Sequence, residues 1–141
     1  MRKWLLNHDV IWRRASILAV LGHGVDLVDV AEVTALLKLS DDFLNRAFTD
    51  EERNRLLEIA ATPERIAARF AAKEAVLKAL GSGFGGGPSF QDVEVFNRPS
   101  GAPYVILHGP TRKLADSLGV SCWLVSLSHD GGKAIASAIA T

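Results

Sequence analysis

A lysine occupies a position that helical periodicity reserves for an apolar residue, and any fold of this chain has to accommodate it. From Thr62-Pro63, an N-cap threonine followed by proline at the first helical position, the sequence reads as one helix to Leu80, ended by Gly81. Within it Lys73 is flanked at i−7, i−3, i+4 and i+7 by Ile66, Phe70, Leu77 and Leu80. At about 3.6 residues per turn it therefore falls in the middle of the buried stripe. Glu74 stands beside it. An unpaired charge entering a packed face costs several kcal/mol, so compensation is required. A phosphate and a metal ion would supply it. Alternatively, Lys73 snorkels to water while Glu74 makes an ordinary i,i+4 pair with Lys78. The helix alone leaves both readings open.

The rest of the chain limits what that helix can serve. At 141 residues and 15.2 kDa a single domain is expected. Sixteen basic residues balance sixteen acidic ones, so no global field attracts nucleic acid or an anionic membrane, and any phosphate binding must be local. Cys122 is the only cysteine, which excludes an internal disulfide and fits a reducing cytoplasm. No uncharged apolar run approaches the ~18 residues of a membrane span. His8, Asp9, Arg13 and Arg14 interrupt the apolar N-terminal stretch and argue against a signal peptide. Residues 1–16 read as an appendage to a domain over 17–141.

The element pattern is α+β, a small antiparallel sheet packed with helices. Ile17 to Val30 suggests a first strand interrupted or bulged at Gly22-His-Gly24, with Asp26 on or just after it. Ala31 to Lys38 reads as a short amphipathic helix, and Thr49-Asp-Glu-Glu52 as a capping box opening another. The loop Gly81-Ser-Gly-Phe-Gly-Gly-Gly-Pro88 follows its helix and so faces the negative end of the macrodipole, which separates it from phosphate-binding P-loops. Its glycines suit a backbone passing close to a ligand or partner, or equally a connector. Beyond Phe90 come strand-like Val93 to Phe96 and Tyr104 to Leu107, a helix near Thr111 to Leu118, a strand with Trp123, Val125 and Leu127 on one face, and an Asp130-Gly-Gly hairpin signal. The last segment, Lys133 to Ala140, carries alanine on its even positions. That face suits close packing, as at a tight subunit interface, although an alanine-rich helix would show the same composition.

Four motifs in order carry a resemblance: Gly24-Val-Asp26, Phe48-Thr-Asp-Glu-Glu52, Arg69-Phe-Ala-Ala-Lys73-Glu74-Ala75 and Ser128-His129. Over residues 18–140 the chain resembles the holo-acyl-carrier-protein synthases, the short class of 4′-phosphopantetheinyl transferases. The resemblance implies that fold, a trimer with active sites between subunits, and a reaction. In that reaction a serine of an apo acyl carrier protein attacks the β-phosphate of coenzyme A, accepting phosphopantetheine and releasing 3′,5′-ADP.

The same resemblance implies roles for single residues. Asp26 and Glu74 would hold Mg²⁺, and with Lys73 would form the catalytic set; phosphoryl transfer needs positioning and charge neutralisation above all. Either Glu74 or a metal-bound water would accept the serine proton. Lys73 and Lys78 would neutralise the pyrophosphate of coenzyme A, Arg69 and His129 would meet its nucleotide end, and Gly81 and Ser82 would line its path. The family places an arginine six residues after the metal-binding aspartate to dock an acidic carrier; here that position is Glu32, so docking would fall to Arg46, Lys38 or Arg53. A non-catalytic coenzyme A-binding module and a structural interaction domain are the competing readings.

Overall fold

The computed structural model describes residues 19–82 and 88–141, so the expectations for residues 1–16, the start of the first strand and the glycines of 83–87 lie outside the described residues. The elements in chain order are β1 (Gly22–Asp29), α1 (Val30–Leu39), α2 (Asp42–Ala47), α3 (Asp50–Glu58), α4 (Pro63–Ala79), a 3-10 turn (Phe90–Asp92), β2 (Val93–Asn97), β3 (Pro103–Leu107), α5 (Gly109–Ser117), β4 (Trp123–Asp130) and β5 (Lys133–Ala140). Local chemistry explains most boundaries. The Asp29 side chain accepts from Ala31 N and starts α1, and the Thr62 hydroxyl accepts from Arg65 N above Pro63 to start α4. The capping box is complete at α3: Glu52 N donates to the Thr49 hydroxyl, and Thr49 N donates to Glu52 Oε2 at 3.0 Å. At the β4–β5 turn Gly131 and Gly132 take φ of +55° and +76°, values that glycine adopts without a Cβ clash.

Three strands form one antiparallel sheet in the order β1-β5-β4, and β2 and β3 form a separate hairpin. Helix α4 lies against the inner face of the three-stranded sheet, and small residues let it in. An added Cβ on Gly24 would come within 1.9 Å of Ala75 O, and one on Gly22 within 2.1 Å of Ala79 O. Both expectations about these segments need correction. Pairing of β1 with β5 runs unbroken from Gly22↔Ala140 to Asp29↔Lys133, so the glycines mark close approach of a helix backbone and no bulge. The terminal segment is a strand, and its alanine face is spent inside the chain: Ala134, Ala136, Ala138 and Ala140 are all buried. Its close packing partner is α4, not another subunit.

The opposite face of the same sheet is uncovered and apolar. Val25, Leu27, Leu124 and Ile135 alternate with the inner residues and are 44%, 62%, 55% and 43% exposed. Among the described residues no helix is long and apolar enough to cross a membrane.

Candidate active site

Two elements distant in sequence bring two carboxylates and an ammonium together. Strand alternation aims Asp26 at the inner face of β1, and α4 carries Glu74 and Lys78 one turn apart. Lys78 Nζ donates to Asp26 Oδ1 at 2.6 Å and to Val25 O at 3.2 Å. The Asp26 side chain is 14% exposed, and that of Lys78 51%. Lys78 therefore reaches across to the strand and makes no hydrogen bond to Glu74, its i−4 neighbour. Glu74 is half-buried and has no hydrogen-bond or ion-pair partner among the described residues. Burial pushes its carboxyl up, the neighbouring Asp26 carboxylate pushes it further, and Lys78 offsets part of this. One cation among the described residues thus serves two carboxylates at a partly exposed site. Such an under-neutralised, all-oxygen donor pair fits a hard divalent cation such as Mg²⁺, which takes one or two carboxylates and completes its shell with water and phosphate oxygens.

Lys73, one residue before Glu74, has a different fate. It neither snorkels nor joins the Asp26–Lys78 ion pair: the side chain is fully buried, and Nζ donates to Glu52 Oε2 at 2.5 Å, Val93 O at 2.5 Å and Phe90 O at 3.0 Å. The Phe48 ring lies 4.9 Å away. Glu52, 1% exposed, is equally saturated, since Oε1 accepts from Val95 N at 2.9 Å and Oε2 from Thr49 N at 3.0 Å. Burial pushes the Glu52 carboxyl up and the Lys73 ammonium down, each opposed by the other's charge. With three protein acceptors and no exposed surface, Lys73 is turned into the core of this chain. Glu52 is the residue the sequence reading missed as a partner. Its signal was present in Thr49-x-x-Glu52, but a capping box already accounts for a glutamate there.

The other expected residues make contacts of their own outside the Asp26–Lys78 ion pair. Arg69 is half-buried on the β2 side of α4, where it donates to Asn97 Oδ1 at 2.8 Å. Burial, then nearby Arg65, lowers its guanidinium. His129 is exposed on β4 in the row of Ala134 and Val28, one inward position beyond the row that holds Asp26. Gly81, at φ +66°, donates to Lys78 O at 3.0 Å, and Ser82 Oγ donates to Leu77 O at 3.0 Å, so both close the helix beside residues 83–87. Arg46 is exposed at the end of α2 beside a groove lined by Leu36, Leu39, Phe43 and Phe70. Lys38 and Glu32 are exposed on α1. Arg53 is bonded at its own helix start, donating to Phe48 O at 2.9 Å and to the Asp50 carboxylate.

Known proteins share this chain's sequence pattern and fold. Residues 22–136 match the sequence profile of the 4′-phosphopantetheinyl transferase superfamily. A holo-acyl-carrier-protein synthase of Beutenbergia cavernae is 47% identical over 121 residues, covering 86% of this chain and 96% of that protein. One of Desulforudis audaxviator is 47% identical over 122 residues, covering 86% and 92%. Among solved structures, the Neisseria meningitidis synthase superposes with a TM-score of 0.78 at 30% identity, over 87% of this chain and 99% of that one. The Helicobacter pylori synthase, solved in complex with coenzyme A, gives 0.73 at 30% identity, over 84% and 99%.

Proposed function

The chain belongs to the 4′-phosphopantetheinyl transferase superfamily, and on that premise we propose that it works as a holo-acyl-carrier-protein synthase with its chemistry centred on Asp26, Glu74 and Lys78. It transfers 4′-phosphopantetheine from coenzyme A to a serine of an apo acyl carrier protein and releases 3′,5′-ADP. The observation that carries the residue assignment is the shared lysine: two carboxylates from β1 and α4 meet with one neutralising cation between them among the described residues.

Asp26 and Glu74 would hold Mg²⁺, whose chemical contribution is to neutralise charge developing on the pyrophosphate. Lys78, half exposed, has a side chain long enough to turn from Asp26 to a phosphate oxygen. Glu74, free of protein hydrogen bonds among the described residues, offers a carboxylate oxygen to the serine proton. Gly81 and Ser82 would flank the pantetheine path. Arg69, bonded to Asn97 on the β2 side of α4, and His129, near Glu64 at the start of α4, would act at the nucleotide end in an assembly.

We take that assembly to be a homotrimer. The uncovered Val25, Leu27, Leu124 and Ile135 face supports self-association, since contiguous exposed apolar surface of this kind marks an interaction site. Arg46 and Lys38 remain available to an acidic carrier, Arg53 is bonded at its own helix start, and Glu32 opposes the carrier. A cytoplasmic location fits the lone cysteine. Incubation of apo-carriers with coenzyme A and Mg²⁺, followed by intact-protein mass spectrometry, tests the reading. One phosphopantetheine should be gained per carrier, and absence of any gain across a panel of apo-carriers would overturn it.

A further inference from the structure

The contact of α4 with β1 is smooth. On the strand it offers Gly22 and Gly24, and on the helix the backbone at Ala75 and Ala79; Ala67, Ala68, Ala71 and Ala72 continue the small buried surface. Glycine against alanine fixes how closely the two elements approach but adds no interlocking ridges at this contact, so rotation of the helix is set by its other faces, where Ile66, Val76, Leu77 and Leu80 pack into the core and Lys73 makes directional bonds. Glu74 needs that rotation to be fixed. A turn of α4 by about 20° would carry a carboxylate at roughly 6 Å radius through about 2 Å. A misplacement of even ~1 Å can cost about 10²-fold in rate.

The Glu52–Lys73 pair sits where such a constraint would act. Consecutive helical residues point roughly 100° apart, so fixing the direction of Lys73 fixes that of Glu74. Lys73 Nζ is held by acceptors from three places: the side chain of α3, the 3-10 turn at Phe90 and the start of β2 at Val93. Glu52 in turn is held by Val95 N of β2 and Thr49 N at the start of α3. Every bond in the set is directional, and the two side chains are 0% and 1% exposed. We infer that Glu52 is a positioning residue of the transferase site: by clamping Lys73 it locks the rotation of α4 and so aims Glu74 at Asp26. This rests on the metal-binding role given above to Asp26 and Glu74.

Two variants test it. Glu52→Asp keeps the charge but withdraws the carboxylate by about one methylene, so a folded protein with a slack clamp is expected. Glu52→Leu with Lys73→Met removes both charges into packed apolar groups, a change that buried ion pairs often tolerate without loss of stability. Mn²⁺ affinity in the presence of coenzyme A, read by electron paramagnetic resonance, reports the carboxylate pair without turnover; circular dichroism reports folding. The clamp predicts a roughly tenfold or greater loss of Mn²⁺ affinity in whichever variant is folded, a fall in kcat, and an unchanged KM for apo-carrier. Parent-like Mn²⁺ affinity and kcat in Glu52→Asp, or in a folded double variant, would overturn it, because a purely structural pair would change only the melting temperature. The parent and Asp26→Ala are measured alongside. If the parent binds no Mn²⁺ with coenzyme A, or Asp26→Ala binds as well as the parent, the metal-site reading has failed rather than the clamp.

Discussion

Lys73 and Glu74 are neighbours on one helix, yet their surroundings are opposite. Around Lys73 every donor and acceptor is matched, no water reaches the ammonium, and three chain segments converge on it. Glu74 is only half-buried, the Asp26 carboxylate repels it, and Lys78 is already bonded to Asp26. The first arrangement is complete and the second is unfinished. A buried pair with all its bonds made has nothing left to offer a ligand, whereas two carboxylates short of one positive charge gain when a cation and phosphates arrive. Within a folded chain, unmet electrostatic demand is a better pointer to chemistry than the mere presence of charge in an apolar stripe.

That contrast can be broken in four ways. The largest effect is expected in the unfinished cluster, where Asp26→Ala or Glu74→Ala should cut Mg²⁺-dependent transfer by about 10³-fold while the protein stays folded. Steady-state kinetics beside a circular dichroism melt would check this, and parent-like turnover by either variant would dissolve the distinction. Next, a single change in the complete pair should act on stability: Lys73→Met strands the Glu52 carboxylate in the core and should cost about 3–5 kcal/mol, measured by urea unfolding. From sequence alone the same substitution would be expected to preserve or raise stability, because the helix stripe wants an apolar residue there; the buried partner reverses the sign. Third, Gly24→Ala should cost roughly 1–3 kcal/mol through overpacking against Ala75, with transfer reduced as α4 is pushed off β1. The smallest effect belongs to the exposed edge of the site. Lys78→Met should change stability by no more than about 1 kcal/mol, since its ion pair is half-solvated, but should raise KM for coenzyme A several-fold. If Lys78→Met were instead strongly destabilising, the site would be as structural as the clamp.

Local signals were readable in the sequence, and long-range ones were not. The Thr49–Glu52 capping box, the Thr62-Pro63 start of α4, its end at Gly81 and the Asp130-Gly-Gly turn each depend on residues a few positions apart, and all stand where local chemistry puts them. The metal-pair candidates Asp26 and Glu74, too, could be named from motifs. What stayed hidden was which charge meets which across the fold. Glu52 and Lys73 are separated by a turn and a helix start, and nothing in helical periodicity tells a lysine in the stripe that its carboxylate lies on another helix. The alanine face of β5 was legible as a close-packing surface, but small side chains do not reveal whether the partner is the chain's own α4 or a second copy. Gly24 was ambiguous for the same reason: a missing side chain marks a bulge or a neighbour's backbone, and only the neighbour distinguishes them.

The glycines of β1 also shape how the protein could change under selection. On alternate residues of that strand the inner positions are backbone pressed on backbone at Gly22 and Gly24, followed by Asp26 of the carboxylate pair, so almost any replacement there either collides with α4 or removes a carboxylate. The intervening positions, His23, Val25 and Leu27, are exposed and meet no such wall among the described residues. A saturation library across β1 should therefore show tolerance of folding with a period of two, and the ability to explore new sequence would be confined to the outward residues, where a change alters what the sheet meets and leaves the Asp26–Glu74 pair in place.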